Sequence, residues 1–256
     1  MPDTGYRLVA DQRFREGKRG LLDLYLPDAG VTPLPTIVFI YGGDWRDGDK
    51  GTYRFVGQAF AARGFAVAIP DYRLFPEVRF PTFLEDNAAA FSWVAGHANA
   101  FGLDPKRFYL MGHSAGAYDA AMLALDGRWL GQVGIDPRRD LRGFVGLAGP
   151  YDFLPLDDDS GPVLGSAPDP RQTQPITFVA GGEAPMLLAT GLDDTTVQPR
   201  NTMRLAEALR AHKSPVTVKT YPGVGHVRLI ADLAAPLQSK ATPVIEDVVA
   251  FLSSTN

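Results

Sequence analysis

The chain alternates between short apolar runs and longer stretches whose apolar residues recur every three or four positions, as buried strands feeding amphipathic helices do. Two short strands at residues 6–10 and 21–26 come first, and residues 27–30 turn the chain toward a strand at 36–40. Further strands are predicted at 65–70, 108–111, 141–148, 186–190 and 216–220. Helices at 53–62, 83–99, Ala115–Leu125 and 199–211 lie between them. A last helix at 243–252 carries Ile245, Val248, Val249 and Leu252 along one stripe. From Thr36 on the strands read as continuous and apolar rather than alternating, which is what burial on both faces by crossover helices requires. These eight strands predict an α/β fold, a mostly parallel eight-stranded sheet with helices on both faces. Right-handed crossovers bring the loops after the strands to one edge of that sheet.

Residues 149–185 break the rhythm. They are rich in Pro, Gly and Asp, with few apolar positions beyond Phe153, Leu154, Leu156, Val163, Leu164 and 176–179. Connections this long are usually lids, binding loops or disorder. The segment leaves the strand edge, so we expect a short lid over that edge, with one or two short helices within 170–179 and direct contact with a substrate. The acidic run Asp157-Asp-Asp159 lacks the ligand spacing of a calcium loop and reads as a solvated turn.

The chemistry is concentrated where strands end. Gly112-His-Ser-Ala-Gly116 follows the strand at 108–111 and opens the next helix, which is the form of a nucleophile elbow holding the Ser114 hydroxyl up and exposed. A hydrolytic serine needs a base and an orienting acid, and along such a chain the acid follows the serine and the histidine follows the acid. Gly191-Leu-Asp-Asp194 supplies the acid after the strand at 186–190. Asp193 and Asp194 compete, and adjacent residues at a strand end point different ways; Asp194 is favoured. His226, after the strand at 216–220, is the expected base. Tyr41-Gly-Gly-Asp-Trp45 follows the strand at 36–40, and its glycines let the loop aim free N–H groups at a substrate oxygen. The expected oxyanion hole is the N–H groups of Gly43, Asp44 and Ala115, with the Asp44 carboxylate turned away.

These stretches, with Ile69-Pro-Asp-Tyr-Arg-Leu-Phe-Pro-Glu77 and Phe80-Pro-Thr-Phe-Leu-Glu-Asp86, resemble the α/β-hydrolase superfamily. Within it they resemble the esterase branch of hormone-sensitive lipase-like carboxylesterases and bacterial arylformamidases. The likeness extends over residues 36–226. It implies an α/β-hydrolase fold and an oxyanion loop of the form His-Gly-Gly-X-Trp. Carried over, that loop's glycines are Gly42 and Gly43, its variable position Asp44 and its tryptophan Trp45; Tyr41 stands where the family has histidine. The family's acid lies three residues after a glycine and three before a valine, as Asp194 does between Gly191 and Val197.

Composition narrows the choice further. At 256 residues and 45% hydrophobic the chain suits one domain, residues 1–256, with the lid inserted at about 149–185. Zero cysteines exclude disulfides, a thiol nucleophile and thiolate metal sites. No metal or other cofactor is expected. The first twenty residues carry Asp3, Arg7, Asp11, Arg13, Arg15, Glu16, Lys18 and Arg19, with no block suited to a signal peptide, so the cytoplasm is expected. No run is long enough to span a membrane, and a net charge of −4 argues against a nucleic-acid surface. A monomer or homodimer is expected.

Other residues read as support. The segment 43–50 has Asp49 between its glycine and Lys50, which spoils a phosphate loop. His113 should lie beside the acid loop or in helix packing, and His97 and His212 at helix ends, where a cationic ring suits the dipole. Asp71, Tyr72 and Arg73 should tie a strand end to the helix near Phe83. Trp45 walls the pocket or packs the oxyanion loop, and Phe75, Phe153 and Leu156 are candidate pocket residues. The function expected is a serine hydrolase of short-chain carboxylic esters acting through an acyl-enzyme on Ser114, with a small-molecule ester or amide as substrate. The alternatives are an arylformamidase, in which a formyl group leaves an aromatic amine, and a catalytically silent α/β-hydrolase scaffold used for binding.

Overall fold

A computed structural model of the chain describes residues 5–28, 32–234, 237 and 242–255. Asp3, and Ala29 and Gly30 of the predicted turn, lie outside the described residues. Eight strands, β1 (Tyr6–Arg13), β2 (Leu21–Pro27), β3 (Leu34–Ile40), β4 (Ala66–Pro70), β5 (Leu103–His113), β6 (Leu141–Leu147), β7 (Met186–Gly191) and β8 (Val216–Tyr221), form one sheet. Their order is β1-β2-β4-β3-β5-β6-β7-β8. β1 and β2 pair antiparallel, as do β2 and β4; every pairing from β4 through β3 to β8 is parallel. A row of apolar residues in register, Phe39, Met111, Val145 and Leu187, crosses the middle of the sheet and is buried throughout. Burial on both faces is why these strands are apolar at every position rather than at alternate ones. Strands β1 and β8 are exceptions: each sits at an edge of the sheet with residues mostly exposed or part-exposed, and in β8 Val-Thr-Val-Lys-Thr alternates accordingly.

Several boundaries differ from the sequence reading: β1 runs on to Arg13 rather than ending at Ala10, and two others matter more. β5 begins at Leu103 rather than Phe108, through charged residues 104, 106 and 107 that lie at the exposed end of the sheet, where Arg107 Nε donates to Asp104 at 2.6 Å. The helix expected at 83–99 runs from Thr82 to Gly96 and a separate turn follows at Ala98–Phe101. His97 sits at the break with its Nδ1 2.7 Å from the Trp93 carbonyl oxygen, and His212 makes the same contact with Ala208 at 3.0 Å after helix Arg200–Ala211.

Residues 149–185 hold a four-residue helix, Gly161–Leu164, and two 3-10 turns, Pro170–Thr173 and Pro175–Phe178. The segment is fastened to the loop before helix Thr82–Gly96. Phe80 N–H donates to the Val163 carbonyl at 3.0 Å, and Ser166 Oγ donates to the Phe80 carbonyl at 2.7 Å. Asp157 accepts from the Ser160 N–H at 2.8 Å and from its hydroxyl at 2.6 Å, closing the acidic turn on itself. The ends of β3, β5, β7 and β8 lie along one edge of the sheet. No helix among the described residues is long and apolar enough to cross a membrane.

Candidate active site

At the end of β5 the backbone turns sharply at Ser114, with φ 54° and ψ −125°, and helix Ala115–Leu125 begins at the next residue. A non-glycine residue held there costs about 1–3 kcal/mol and persists only where its surroundings fix it. They do: Ser114 N–H donates to the Leu147 carbonyl at 2.9 Å, and the Ser114 carbonyl accepts from Ala117 and Tyr118 at 2.9 and 3.1 Å. The flanking glycines leave room for this turn. A Cβ on Gly112 would press into the Gly116 carbonyl, and one on Gly116 into the carbonyls of Ile40 and Tyr41.

His226 opens the short helix His226–Ala231 and reaches Ser114 from the β8 side. Its Nε2 lies 2.8 Å from Ser114 Oγ, and its Nδ1 lies 2.7 Å from Asp194 Oδ2. A carboxylate only accepts, so Nδ1 carries the proton of the neutral ring and Nε2 is left to accept from the serine hydroxyl. Asp194 is buried, and its other oxygen accepts from the N–H groups of Thr196 and Val197 at 2.9 Å each. Asp193 is exposed and engages the loop through its backbone, its N–H donating to the Val224 carbonyl at 3.0 Å. Of the two aspartates, only Asp194 faces the histidine.

Beneath His226 lies His113. The two rings are 4.8 Å apart and inclined by 38°, and His113 Nε2 is 3.3 Å from the His226 carbonyl oxygen. Burial, followed by the neighbouring His226, lowers the His113 pKa to about 3, with the contact to the His226 carbonyl and the Asp194 charge opposing. The ring is therefore neutral and donates from Nε2. The ring lies near the acid loop, close enough to feel the Asp194 charge, and its contact is with the main chain of the base. A histidine beside the serine was the available signal, but its direction depends on the elbow's geometry.

The loop after β3 has positive φ at three successive residues, Gly43 (132°), Asp44 (55°) and Trp45 (54°). The Gly43 carbonyl accepts from Arg46 and Asp47 N–H groups at 2.9 Å each, which closes the turn, and a Cβ on Gly43 would press into the Asp47 carbonyl. Among the described residues the N–H groups of Gly43, Asp44 and Ala115 have no hydrogen-bond acceptor. The Asp44 carboxylate is 59% exposed and lies 3.7 Å from Arg46 Nη1. Burial raises its pKa, with Asp159 and Asp157 adding to that and Arg46 opposing it.

Tyr41, in the histidine's place, is clamped. Its ring stacks with Tyr53 and Tyr72 at 5.4 and 4.8 Å, its hydroxyl donates to Asp71 at 2.9 Å, and Arg19 donates to that hydroxyl at 3.1 Å. Burial and the Asp71 charge push its phenol far above the usual range. Tyr72 hydroxyl donates to the Tyr41 carbonyl at 2.8 Å, and Arg73 forms a two-bond pair with Asp86 at 2.7 and 2.9 Å. Asp71, Tyr72 and Arg73 thus join the strand end both to the loop and to helix Thr82–Gly96.

Ser114 opens on a cavity of about 700 Å³, bounded by Asp44, Trp45, Ala115, Pro150, Phe153 and Leu154, with Val197 and Arg200 across from them. Phe153 is among its walls. Phe75 and Leu156 are not: Phe75 is held between the guanidiniums of Arg46 and Arg79 at 4.7 and 5.1 Å, and Leu156 packs back against the core. Trp45 is only 3% exposed and chiefly packs the loop, its ring edge-on to Tyr118 at 5.1 Å. The cover segment lines the cavity with residues between 150 and 160, whereas the two 3-10 turns lie away from it. Groups of three or more His, Cys, Asp or Glu placed to hold a metal are absent among the described residues.

A family model described as BD-FAE matches residues 22–209. A probable isoprenylcysteine alpha-carbonyl methylesterase of Arabidopsis thaliana is 28% identical over 254 residues, covering 90% of this chain and 53% of that protein. The chain thus spans little more than half the length of that curated relative. The carboxylesterase NlhH of Mycobacterium tuberculosis is 36% identical over 129 residues, 47% of this chain and 40% of that one. Among solved structures, a truncated carbohydrate esterase from gut microbiota superposes with a TM-score of 0.85 at 19% identity, covering 100% of this chain and 98% of that one. Esterase B from Lactobacillus rhamnosis, inhibited by a tributyrin phosphonate, gives 0.84 at 19% identity over 98% of this chain and 86% of that one. At such identity these superpositions bear on the fold, which is that of the α/β-hydrolases.

Proposed function

The chain belongs to the family described as BD-FAE, and from that premise we propose that it is a serine hydrolase of short-chain carboxylic esters working through an acyl-enzyme on Ser114. The observation that carries the reading is the unbroken row Ser114 Oγ, His226, Asp194, with contacts of 2.8 and 2.7 Å, at the floor of an open cavity. The curated relatives named as esterases support ester hydrolysis as the reaction class.

In this mechanism His226 Nε2 takes the hydroxyl proton as Ser114 Oγ attacks the ester carbonyl carbon. Asp194 keeps the proton on Nδ1 and stabilises the imidazolium. The charge that forms on the former carbonyl oxygen is taken up by the N–H groups of Ala115, Gly43 and Asp44, each worth about 3 kcal/mol in the transition state. Collapse of the tetrahedral adduct expels the alcohol, which receives the proton from His226, and leaves the acyl group on Ser114. Water activated by the same imidazole then releases the acid and restores the hydroxyl. The lid expected at 149–185 contributes its residues 150–160 to the substrate cavity and forms one domain with the sheet.

Labelling with a fluorophosphonate tests the reading directly. The parent protein should be modified once, at Ser114, and lose turnover of an aryl acetate in step with labelling. Ser114→Ala should fold, resist labelling and keep less than a few per cent of turnover. Substantial activity in that variant would remove Ser114 from the reaction, and a folded parent protein that neither labels nor turns over would favour a silent binding scaffold.

A further inference from the structure

Helix Ala115–Leu125 is buried along its whole length and carries a single carboxylate, Asp119. Its Oδ1 accepts from Trp45 Nε1 at 2.9 Å and its Oδ2 from Asn87 Nδ2 at 3.0 Å. No cation pairs with it among the described residues, and burial drives its pKa well above the carboxylate range, the two hydrogen bonds opposing. An apolar side chain there would avoid the burial cost but would leave the buried indole N–H without an acceptor.

The indole belongs to the loop that needs holding. Asp44 and Trp45 are consecutive non-glycine residues at φ 55° and 54°, and the Asp44 N–H has no acceptor in the loop. What fixes this stretch is Trp45: its carbonyl accepts from Phe75 N–H at 2.7 Å, its ring packs on Tyr118 and Phe83, and its N–H reaches Asp119. The helix bearing Asp119 starts immediately after Ser114 and presents the Ala115 N–H at its first residue. One helix therefore carries both an anion donor, the N–H of Ala115 beside the nucleophile, and the anchor of the loop that bears the other two.

We propose that Asp119 is a positioning residue that, through its hydrogen bond to the Trp45 indole, sets the Gly43 and Asp44 N–H groups against Ser114 and Ala115. The inference rests on the reading of Ser114 as nucleophile for its effect on turnover, and on geometry alone for its effect on the loop.

Turnover of an aryl acetate, counted per Ser114 labelled to completion by a fluorophosphonate, separates positioning from mere loss of folded protein. Asp119→Ala should lower kcat about 10–100-fold with KM within about threefold, because the lost contribution belongs to the transition state. Asp119→Asn keeps an acceptor for the indole. Asn87 Oδ1 is buried without a partner, so turning that amide over meets the new N–H, and kcat should return to within about threefold of the parent. In 1H–15N spectra the Gly43 and Asp44 amides should move in Asp119→Ala and return in Asp119→Asn. If Asp119→Ala does not fold, Trp45→Phe removes the same hydrogen bond from the other end and carries the same expectations. A folded Asp119→Ala, or Trp45→Phe in its place, with unmoved Gly43 and Asp44 amides or with kcat within threefold of the parent would overturn the proposal. A parent that neither labels nor turns over would overturn the reading of Ser114 instead, and the spectra would still decide the loop.

Discussion

His113 Nε2 donates to the main-chain carbonyl of His226 across 3.3 Å, so the residue just before the nucleophile supports the backbone of its base. The two histidines lie 113 residues apart in the chain, yet their ring centroids are 4.8 Å apart. A protonated His113 would put a second positive charge beneath the imidazolium that His226 must become. Burial keeps it neutral, which lowers the electrostatic cost of forming that imidazolium.

This arrangement makes stability sensitive to acid. The His113 pKa falls from 6.5 to about 3 on folding, so between those values the unfolded chain binds the extra proton. Stability from this group is complete above pH 6.5 and is lost as the pH falls toward 3. His113→Gln retains a donor near the His226 carbonyl and does not titrate. Its melting temperature should fall less than the parent's between pH 7 and pH 4.5. His226 and Asp194, the titrating groups that act on His113, are present in both proteins, so an equal fall would mean that His113 is not the group responsible.

The acid can be identified by paired substitutions. Asp194→Asn leaves the shape but deprives Nδ1 of its charged partner, and kcat should drop about 10²–10⁴-fold. Asp193→Asn alters an exposed side chain whose backbone does the holding, so less than tenfold is expected. Kinetics of both variants on one aryl ester check the assignment, and the reverse ranking would transfer the role to Asp193.

The loop's donors depend on a conformation that a side chain cannot share. In Gly43→Ala the methyl group meets the Asp47 carbonyl at a φ of 132°, so the turn must open and move the Gly43 and Asp44 N–H groups. We expect kcat to fall about 10²-fold with a much smaller change in KM. Steady-state kinetics with a melting curve decide it: an unaltered kcat in a folded variant would show that these N–H groups do not meet the oxyanion.

Strand polarity and the edge that gathers Ser114, Asp194 and His226 were legible because each rests on local pattern. Continuous apolar runs mark doubly covered strands, and Gly-X-Ser-X-Gly marks a turn whose close approaches only glycine allows. What escaped the sequence was the direction of side chains whose partners lie far along the chain. Phe75 was expected in the pocket, but the cations of Arg46 and Arg79 hold it outside. Asp119 had a visible signal, a lone carboxylate in an alanine-rich helix, yet its partner Trp45 lies 74 residues away. Charged residues likewise hid the first half of β5, because exposed strand ends carry no apolar signature.

Substrate choice should follow the walls of the cavity. Trp45, Pro150, Phe153, Leu154 and Val197 offer apolar contact, but Asp44, Asp157, Asp159, Gln198 and Arg200 line the same space. Each added methylene contributes about 0.8 kcal/mol only while it is buried against apolar surface, and that gain ends where a chain meets carboxylates that must stay hydrated. Acetate and butyrate aryl esters should therefore exceed esters of ten or more carbons by over tenfold in kcat/KM. A hemisuccinate ester, of similar length to the butyrate, should be disfavoured at low salt, because its carboxylate meets three others against the single cation of Arg200, and salt should narrow the gap by screening them. A preference for long chains, or activation at an oil–water interface, would mean that residues 150–160 open into a lipase groove. N-formylkynurenine belongs in the same series: a kcat/KM at least a hundredfold above that of the butyrate would assign the site to formamide rather than ester cleavage.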